Sequence, residues 1–555
     1  MSDITIYSAR KIITMNNYQA EASHVAVRDG RILGVGSLED VQGWGEHSLD
    51  DQFAEKILMP GFVEGHCHLM EGSIWRYHYV GFHARTGPDG KIHEGLGSID
   101  AVADKLARIE AAMPDKDTPL IAWGFDPIYF DGGRMDLGHM DRISTTRPVV
   151  ILHSNLHLLN ASRAVLQAAN ITAATNVEGI AKDAKGEPTG ELQEIAAKFM
   201  ALDTIGLDYS TEASEKLALD NFGQIACQTG VTTATDLFNS APDEAVQNLA
   251  AWTAREDFRF RIAPAFGGAS VPSAQGVERM AELVKLNNDK LHFGLVKLVT
   301  DGSIQGMTGR MKWPGYYNGL PNGVWNTGPD ELQGMVQAYH DAGLQVYIHT
   351  NADEASEVAI NAIEATLTKS PRRDHRHTLQ HCQMADESQY RRMAALGIGV
   401  NLFSNHLYYW GDEHRATTMG PDRAKRSNAA ATAERLGVPF AIHSDAPVTP
   451  LGPLFTAWCA VNRLTSSGYL LGPNERISAA SALRAITLGA AYAMKMDHEV
   501  GSIEVGKRAD FAVLEDDPTT IAPEALRDVG VWGTVLGGRV FPAHKPAHTP
   551  VHNGE

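Results

Sequence analysis

The sequence predicts an α/β fold: a (β/α)8 TIM barrel with a large insertion after its first strand, plus a small β-sandwich formed by both chain ends. Three observations lead there. Strand-like runs alternate with helical intervals through the middle of the chain, short strands without helices cluster near its two ends, and about 160 residues separate the first two central strands. A chain of 555 residues exceeds one compact core unless a barrel with insertions absorbs most of it.

Residues 3 to 58 alternate polar and apolar positions with period two in "ITIYSARKIITM", in "HVAVRDGRILGVG" with a turn at Asp29-Gly30, and in "EKILMP". The same texture returns in "GSIEVGKRADFAVLEDD" (501–517) and "VGVWGTVLGGRVF" (529–541). Neither set buries a stable core alone, so residues 1–58 and 496–555 are expected to share one composite sandwich.

The barrel is assigned to residues 59–495. Its eight strands read as "GFVEGHCH" (61–68), "VTTATD" (231–236), "FRFRIAPAF" (258–266), "LVKLVTD" (295–301), "VYIHTN" (346–351), "HTLQHC" (377–382), "IGVNLFS" (398–404) and "PFAIHSD" (439–445). Helices fill the intervals, for example "GPDELQGMVQAYHDAG" (328–343), with Gly343 as its C-terminal stop. Residues 70–225 are too long for a simple βα connection. They are expected to carry their own strands, "PLIAWGF" and "PVVILHS", and to hang over the C-terminal face of the barrel as a substrate lid.

Composition narrows the partners. The 67 acidic residues outnumber the 48 Lys and Arg, and a formal charge of -19 repels nucleic acid and anionic membrane surfaces. A small-molecule substrate is therefore expected, with no nucleic-acid or membrane partner. Cys67, Cys227, Cys382 and Cys459 are too scattered to form a disulfide framework and fit a reducing compartment. The opening "MSDITIYSARKIITMNN" lacks the apolar core of a secretory signal, so a cytoplasmic protein is expected.

The chemistry starts at "GHCH". In an extended strand, residues 66 and 68 point to one face and residue 67 to the other, so His66 and His68 can share an ion while Cys67 turns away. Among 23 histidines such a pair also fits a polar strand end. The other strand ends add Lys297 in the fourth, His349 in the fifth, His381 in the sixth and Asp445 in the eighth, "AIHSDAPVTP". A barrel converges these positions on one mouth. Cys382, next to His381, points away by the same alternation.

With these residues in order, the sequence resembles the amidohydrolase superfamily, whose pattern is His-x-His on strand one, Lys on four, His on five and six and Asp on eight. The segments "VKLVTDGSI", "IHTNADEA", "LQHCQ", "NHLYYWGDEH", "HSDAPVTPLGPL" and "VGSIEVGKRADFAVLEDDP" resemble the amidohydrolase family 3 branch that contains N-substituted formamide deformylase. The resemblance implies a metal set of His66, His68, Lys297, His349, His381 and Asp445. It also implies one or two Zn²⁺ ions, two if a carboxylated Lys297 bridges them, and a homo-oligomer.

Those residue types suit the task. Neutral imidazole and carboxylate bind Zn²⁺, which lowers the pKa of a bound water from 15.7 to about 7. An ammonium beside a dication is repelled, and in many relatives the corresponding amine carries CO2 as an anionic carbamate. The apolar neighbours Val296 and Leu298 fit a buried amine; the other reading is a structural Lys297 paired with a carboxylate beside a single metal. Asp445 reads as the proton shuttle between water and leaving nitrogen, or as a helix N-cap in "SDAP".

Asp301, His406 and Tyr408 are candidates for substrate binding, with lid packing as the other reading of the aromatic segment. Glu194 in "TGELQEIA" within the insertion reads as part of a solvated helix face, with a reach into the site as the other reading. The tail "AHKPAHTPVH" spaces His544, His548 and His552 regularly, yet its prolines preclude a helix and no metal role is assigned. The expected reaction is metal-dependent hydrolysis of a C–N amide bond in an N-substituted formamide or small N-acyl amine. The alternatives are deamination or cyclic amide and imide hydrolysis at the same site, and a non-catalytic regulatory protein that keeps the fold.

Overall fold

The computed structural model describes residues 4–130 and 133–543; His544, His548 and His552 lie outside the described residues. At its centre run eight strands: β1 (Phe62–Glu64), β2 (Val231–Asn239), β3 (Arg261–Gly267), β4 (Leu295–Val299), β5 (Gln345–Thr350), β6 (Thr378–His381), β7 (Gly399–Leu402) and β8 (Phe440–Ile442). They pair in chain order, all parallel, in one curved sheet. Each falls within or overlaps the segment predicted for it. The helix Pro329–Asp341 opens on a proline and ends just before Gly343, whose φ of +80° is open to glycine at little cost.

Parallel strands covered on both faces read as apolar runs, and β4, "LVKLV", is buried throughout. Val296, Leu298, Val346 and Ile348 pack outward against Leu332, Val336, Ile360 and Ile363 of the surrounding helices. Lys297 therefore faces the barrel interior, by alternation. No strand ladder joins β1 to β8 among the described residues. The seam is filled at one end by the helix Leu488–Ala493 and by the bond from Val63 N–H to the Ile486 carbonyl (2.9 Å). At the other end the segments past the strands meet: Asp445 N–H donates to the His66 carbonyl (3.1 Å) and His68 N–H to the Ala446 carbonyl (2.8 Å).

The two chain ends join in one seven-stranded mixed sheet, ordered Arg539–Pro542, Val531–Leu536, Phe511–Leu514, His47–Pro60, Ile4–Ile13, Glu21–Arg28, Arg31–Gly36. Irregular registers along Ile4–Ile13 accompany its curl over a shared core in which Tyr7, Phe53 and Phe511 meet. The strand His47–Pro60 leads through Gly61 directly into β1. A Cβ at Gly61 would lie 1.9 Å from Thr232 Oγ1, so only glycine lets β1 approach β2 there.

Between β1 and β2 stands a six-stranded sheet that includes Leu120–Phe125, Val149–His153, Leu158–Ala161 and Pro188–Gln193. Alternation divides it: Ile121, Trp123, Val150 and Leu152 join one apolar cluster, Leu120, Ala122, Val149 and Ile151 another. No helix among the described residues is long and apolar enough to cross a membrane, and all four cysteines are free and buried.

Candidate metal centre

His66 and His68 follow β1, and both aim at Asp445: Nε2 of each lies 3.2 and 3.3 Å, respectively, from Asp445 Oδ1. Cys67 turns the other way, its Sγ 3.1 Å from the Thr235 carbonyl oxygen. Behind His66 stands a chain of amides. Gln380 Oε1 receives His66 Nδ1 (2.7 Å) and Asn401 Nδ2 (3.0 Å), and Asn401 Oδ1 lies 3.1 Å from Nδ1 of a further imidazole, His443.

An amide oxygen only accepts, so Nδ1 of His66 and of His443 carries the hydrogen and each Nε2 keeps a lone pair turned into the site. Burial, the largest influence, lowers the His66 pKa to about 4, so the ring is neutral near pH 7. Its lone pair then faces a carboxylate oxygen that makes no aligned hydrogen bond. That contact is repulsive unless a cation stands between the two atoms.

His381 closes the group, with Nδ1 3.1 Å from His443 Nε2 and 3.8 Å from Asp445 Oδ2. One ligand atom from each of His66, His381, His443 and Asp445 can be chosen so that all lie within 4.8 Å of one another. His349 adjoins His381, ring centres 4.6 Å apart. Lys297 is buried beside them; its Nζ makes no hydrogen bond among the described residues, and burial pushes its pKa down to about 7. A structural lysine paired with a carboxylate is thus not what β4 presents. The His66 lone pair aimed at a bare carboxylate oxygen, with further imidazoles around it and an unpartnered buried amine, fits a divalent cation. His381 and Asp445 hold φ of +64° and +54°, backbone strain of the kind that surrounding structure maintains at functional sites.

The six residues predicted as ligands, His66, His68, Lys297, His349, His381 and Asp445, all line one cavity of about 940 Å³ including its open mouth. Leu156, His157, Ile195, Phe199 and Tyr209 of the segment between β1 and β2 form one wall, and Leu237 and Phe238 at the end of β2 another.

The three predicted substrate contacts stand back from the cavity surface, Asp301 with its Oδ1 3.6 Å from His349 Nε2. Asp301 is fully buried and accepts the N–H groups of Arg310 (3.0 Å), Asn351 (3.0 Å) and Ala352 (3.1 Å), tying the loop after β4 to the end of β5. His406 is bound to Gln383 and His414, each at 3.1 Å, and Tyr408 packs on Phe455 and Trp458. None of the three lines the cavity. Glu194 corrects the sequence reading in the opposite sense: it is buried rather than solvated, and it lines the cavity. It opens the helix Glu194–Thr204, and its Oε2 meets His157 Nδ1 (2.8 Å) and Asn326 Nδ2 (2.7 Å). His443 was legible by the rule that paired His66 with His68, since it stands two residues before Asp445. His157, Gln380 and Asn401 carry no comparable local signal.

A cation held by imidazole and carboxylate at the mouth of a parallel barrel activates water against a polarised carbon. This fold and site define a metal-dependent hydrolase acting on carbon–nitrogen bonds. The chain belongs to the amidohydrolase family, whose sequence model matches residues 54–542. It is 29% identical over 550 residues to YtcJ of Bacillus subtilis, covering 95% of this chain and 97% of that protein. It is 24% identical over 548 residues to N-substituted formamide deformylase of Arthrobacter pascens, covering 97% and 98%. Its fold is similar to that of an uncharacterized metal-dependent hydrolase from Pyrococcus horikoshii, with TM-score 0.70, 20% identity and coverage of 94% and 99%.

Proposed function

We propose that the protein hydrolyses the amide bond of an N-substituted formamide or small N-acyl amine. The observation that carries this reading is the neutral His66 lone pair facing the bare Asp445 oxygen at the floor of a largely apolar cavity. The likeness to the formamide deformylase supports the choice of substrate.

His66, His68, His349, His381 and Asp445 would hold Zn²⁺, with His443 close enough to join them. Bound there, the ion polarises the carbonyl group and acidifies water. Water gives one proton to Asp445 and its hydroxyl to the carbonyl carbon; the C–N bond then breaks with its electron pair on nitrogen, which takes the proton from Asp445. The products are an amine and a carboxylic acid. The cavity walls orient the N-substituent and exclude bulk water.

A carboxylated Lys297, which lines the same cavity, would supply an anionic ligand for a second ion. A buried amine with its pKa pushed down to about 7 keeps a neutral fraction that can attack CO2, forming a carbamate and releasing a proton. In the domain arrangement we favour, residues 59–495 form the catalytic unit with 70–225 as its lid, residues 1–58 and 496–555 form the second unit, and the protein works as a homo-oligomer.

The test is metal analysis with turnover of formamides, acetamides, cyclic imides and amino-heterocycles by the metal-loaded protein. Cleavage of linear amides is expected. Turnover confined to imides or amino-heterocycles would replace the linear-amide reading.

A further inference from the structure

The segment between β1 and β2 brings a second histidine–carboxylate pair to the cavity. We propose that His157, oriented by Glu194, accepts the N–H of the scissile amide and so selects substrates with a hydrogen on the leaving nitrogen. This rests on the amide-hydrolase reading above.

His157 sits in the turn between Val149–His153 and Leu158–Ala161, and that turn is pinned on several sides. Asn155 Oδ1 accepts the N–H of His157 (2.9 Å) and Leu158 (3.3 Å), while its Nδ2 reaches Ser303 Oγ (3.2 Å) in the loop after β4. The His157 carbonyl accepts Glu194 N–H at 2.7 Å, and Lys198 Nζ donates to the Leu156 carbonyl.

Glu194 is held at φ +62°, an unusual conformation for a non-glycine residue, and buries a carboxylate that takes His157 Nδ1 and Asn326 Nδ2. Room for that carboxylate comes from Gly302, where a Cβ would lie 2.1 Å from Glu194 Oε1. Strain, burial and a cleared space all serve to place one acid behind one imidazole.

A carboxylate accepts hydrogen bonds only, so Nδ1 of His157 carries the hydrogen, and in that tautomer Nε2 is the acceptor left to the cavity. Nε2 has no hydrogen-bond partner in the protein among the described residues. The ring lines the cavity next to His349, centroids 5.0 Å apart.

The donor that fits beside a scissile carbonyl is the amide N–H. With that hydrogen on His157 Nε2, the nitrogen is fixed in rotation. As the carbonyl carbon becomes tetrahedral, the developing nitrogen lone pair is free to take the proton from Asp445. A tertiary amide offers carbon in place of hydrogen and leaves Nε2 unsatisfied.

The experiment compares an N-alkylformamide with its N-methyl derivative. kcat/KM is measured in the zinc-loaded wild type, His157→Phe, His157→Gln and Glu194→Gln proteins, and Kd in each of them carrying Asp445→Asn as well, at matched metal content. Wild type is expected to favour the secondary amide by roughly 10-fold or more, the scale of one hydrogen bond. His157→Phe should bring that ratio to within about 2-fold, with His157→Gln, which keeps an acceptor, recovering part of it and Glu194→Gln falling between. An unchanged ratio, or equal loss on both amides, overturns the role. If wild type cleaves neither amide yet binds the secondary one in a His157-dependent manner, amide hydrolysis fails and the recognition stands. If neither is bound nor cleaved, both fall.

Discussion

Asp445 and His66 meet at two points: the main-chain N–H of Asp445 donates to the His66 carbonyl at 3.1 Å, and Asp445 Oδ1 faces His66 Nε2 at 3.2 Å without a hydrogen bond between them. The contact that closes the barrel seam also assembles the metal centre. Any change in how β1 meets β8 therefore moves the His66–Asp445 pair as well.

Asp445→Asn keeps a coordinating oxygen and the backbone bond but removes the proton acceptor. Metal content should persist while kcat falls by roughly 10²–10⁴-fold, the usual contribution of a positioned acid–base group. Metal analysis beside steady-state kinetics checks both halves, and full activity would exclude Asp445 as the shuttle.

Lys297→Ala is expected to lose one metal equivalent if the carbamate bridges two ions. Metal counting before and after the substitution decides this, and unchanged stoichiometry argues against the bridge. Lys297→Met should stabilise the metal-free protein, because it replaces a buried amine without a partner by an apolar chain of similar length. A chemical denaturation midpoint that rises is the expected readout.

Gln380→Leu removes the acceptor that holds His66 Nδ1–H at 2.7 Å. The ring stays but its tautomer and tilt are no longer set, so metal affinity should drop about 10–100-fold, the range seen when such supporting contacts are lost. Competition with a chelator measures it.

Metal-free protein should lose stability in acid. Burial lowers His66 and His153 to about 4, against 6.5 for an unburied histidine. Between pH 6.5 and 4 the unfolded chain binds protons that the folded chain refuses, so stability is present above that window and is lost as pH falls through it. For His153, away from the metal centre in the strand Val149–His153, the loss is on the order of 3 kcal/mol. Urea midpoints at pH 7 and pH 5 should show a clear decrease, and His153→Gln should make the decrease smaller.

The eight central strands and the six cavity-lining ligand candidates were legible because both follow local rules. A parallel strand buried on two faces is an apolar run, a polar residue at its end faces the mouth, and period two separates His66 and His68 from Cys67. His443 and Asp445 lie past the end of β8, where Asp445 turns at φ +54°. Asp301, His406 and Tyr408 also follow barrel strands, but past the strand ends the chain turns and sets these side chains against Arg310, His414 and Trp458, contacts that no local pattern shows.

By itself, then, the sequence determined the barrel, the shared sheet of its two ends and the ring of imidazole, lysine and carboxylate groups at the strand ends, since each depends on periodicity within a few residues. Only the tertiary structure decided which nitrogen of His66 faces Asp445 and which acid stands behind His157. Those depend on contacts across 314 residues from His66 to Gln380 and 37 from His157 to Glu194, where no local pattern reaches.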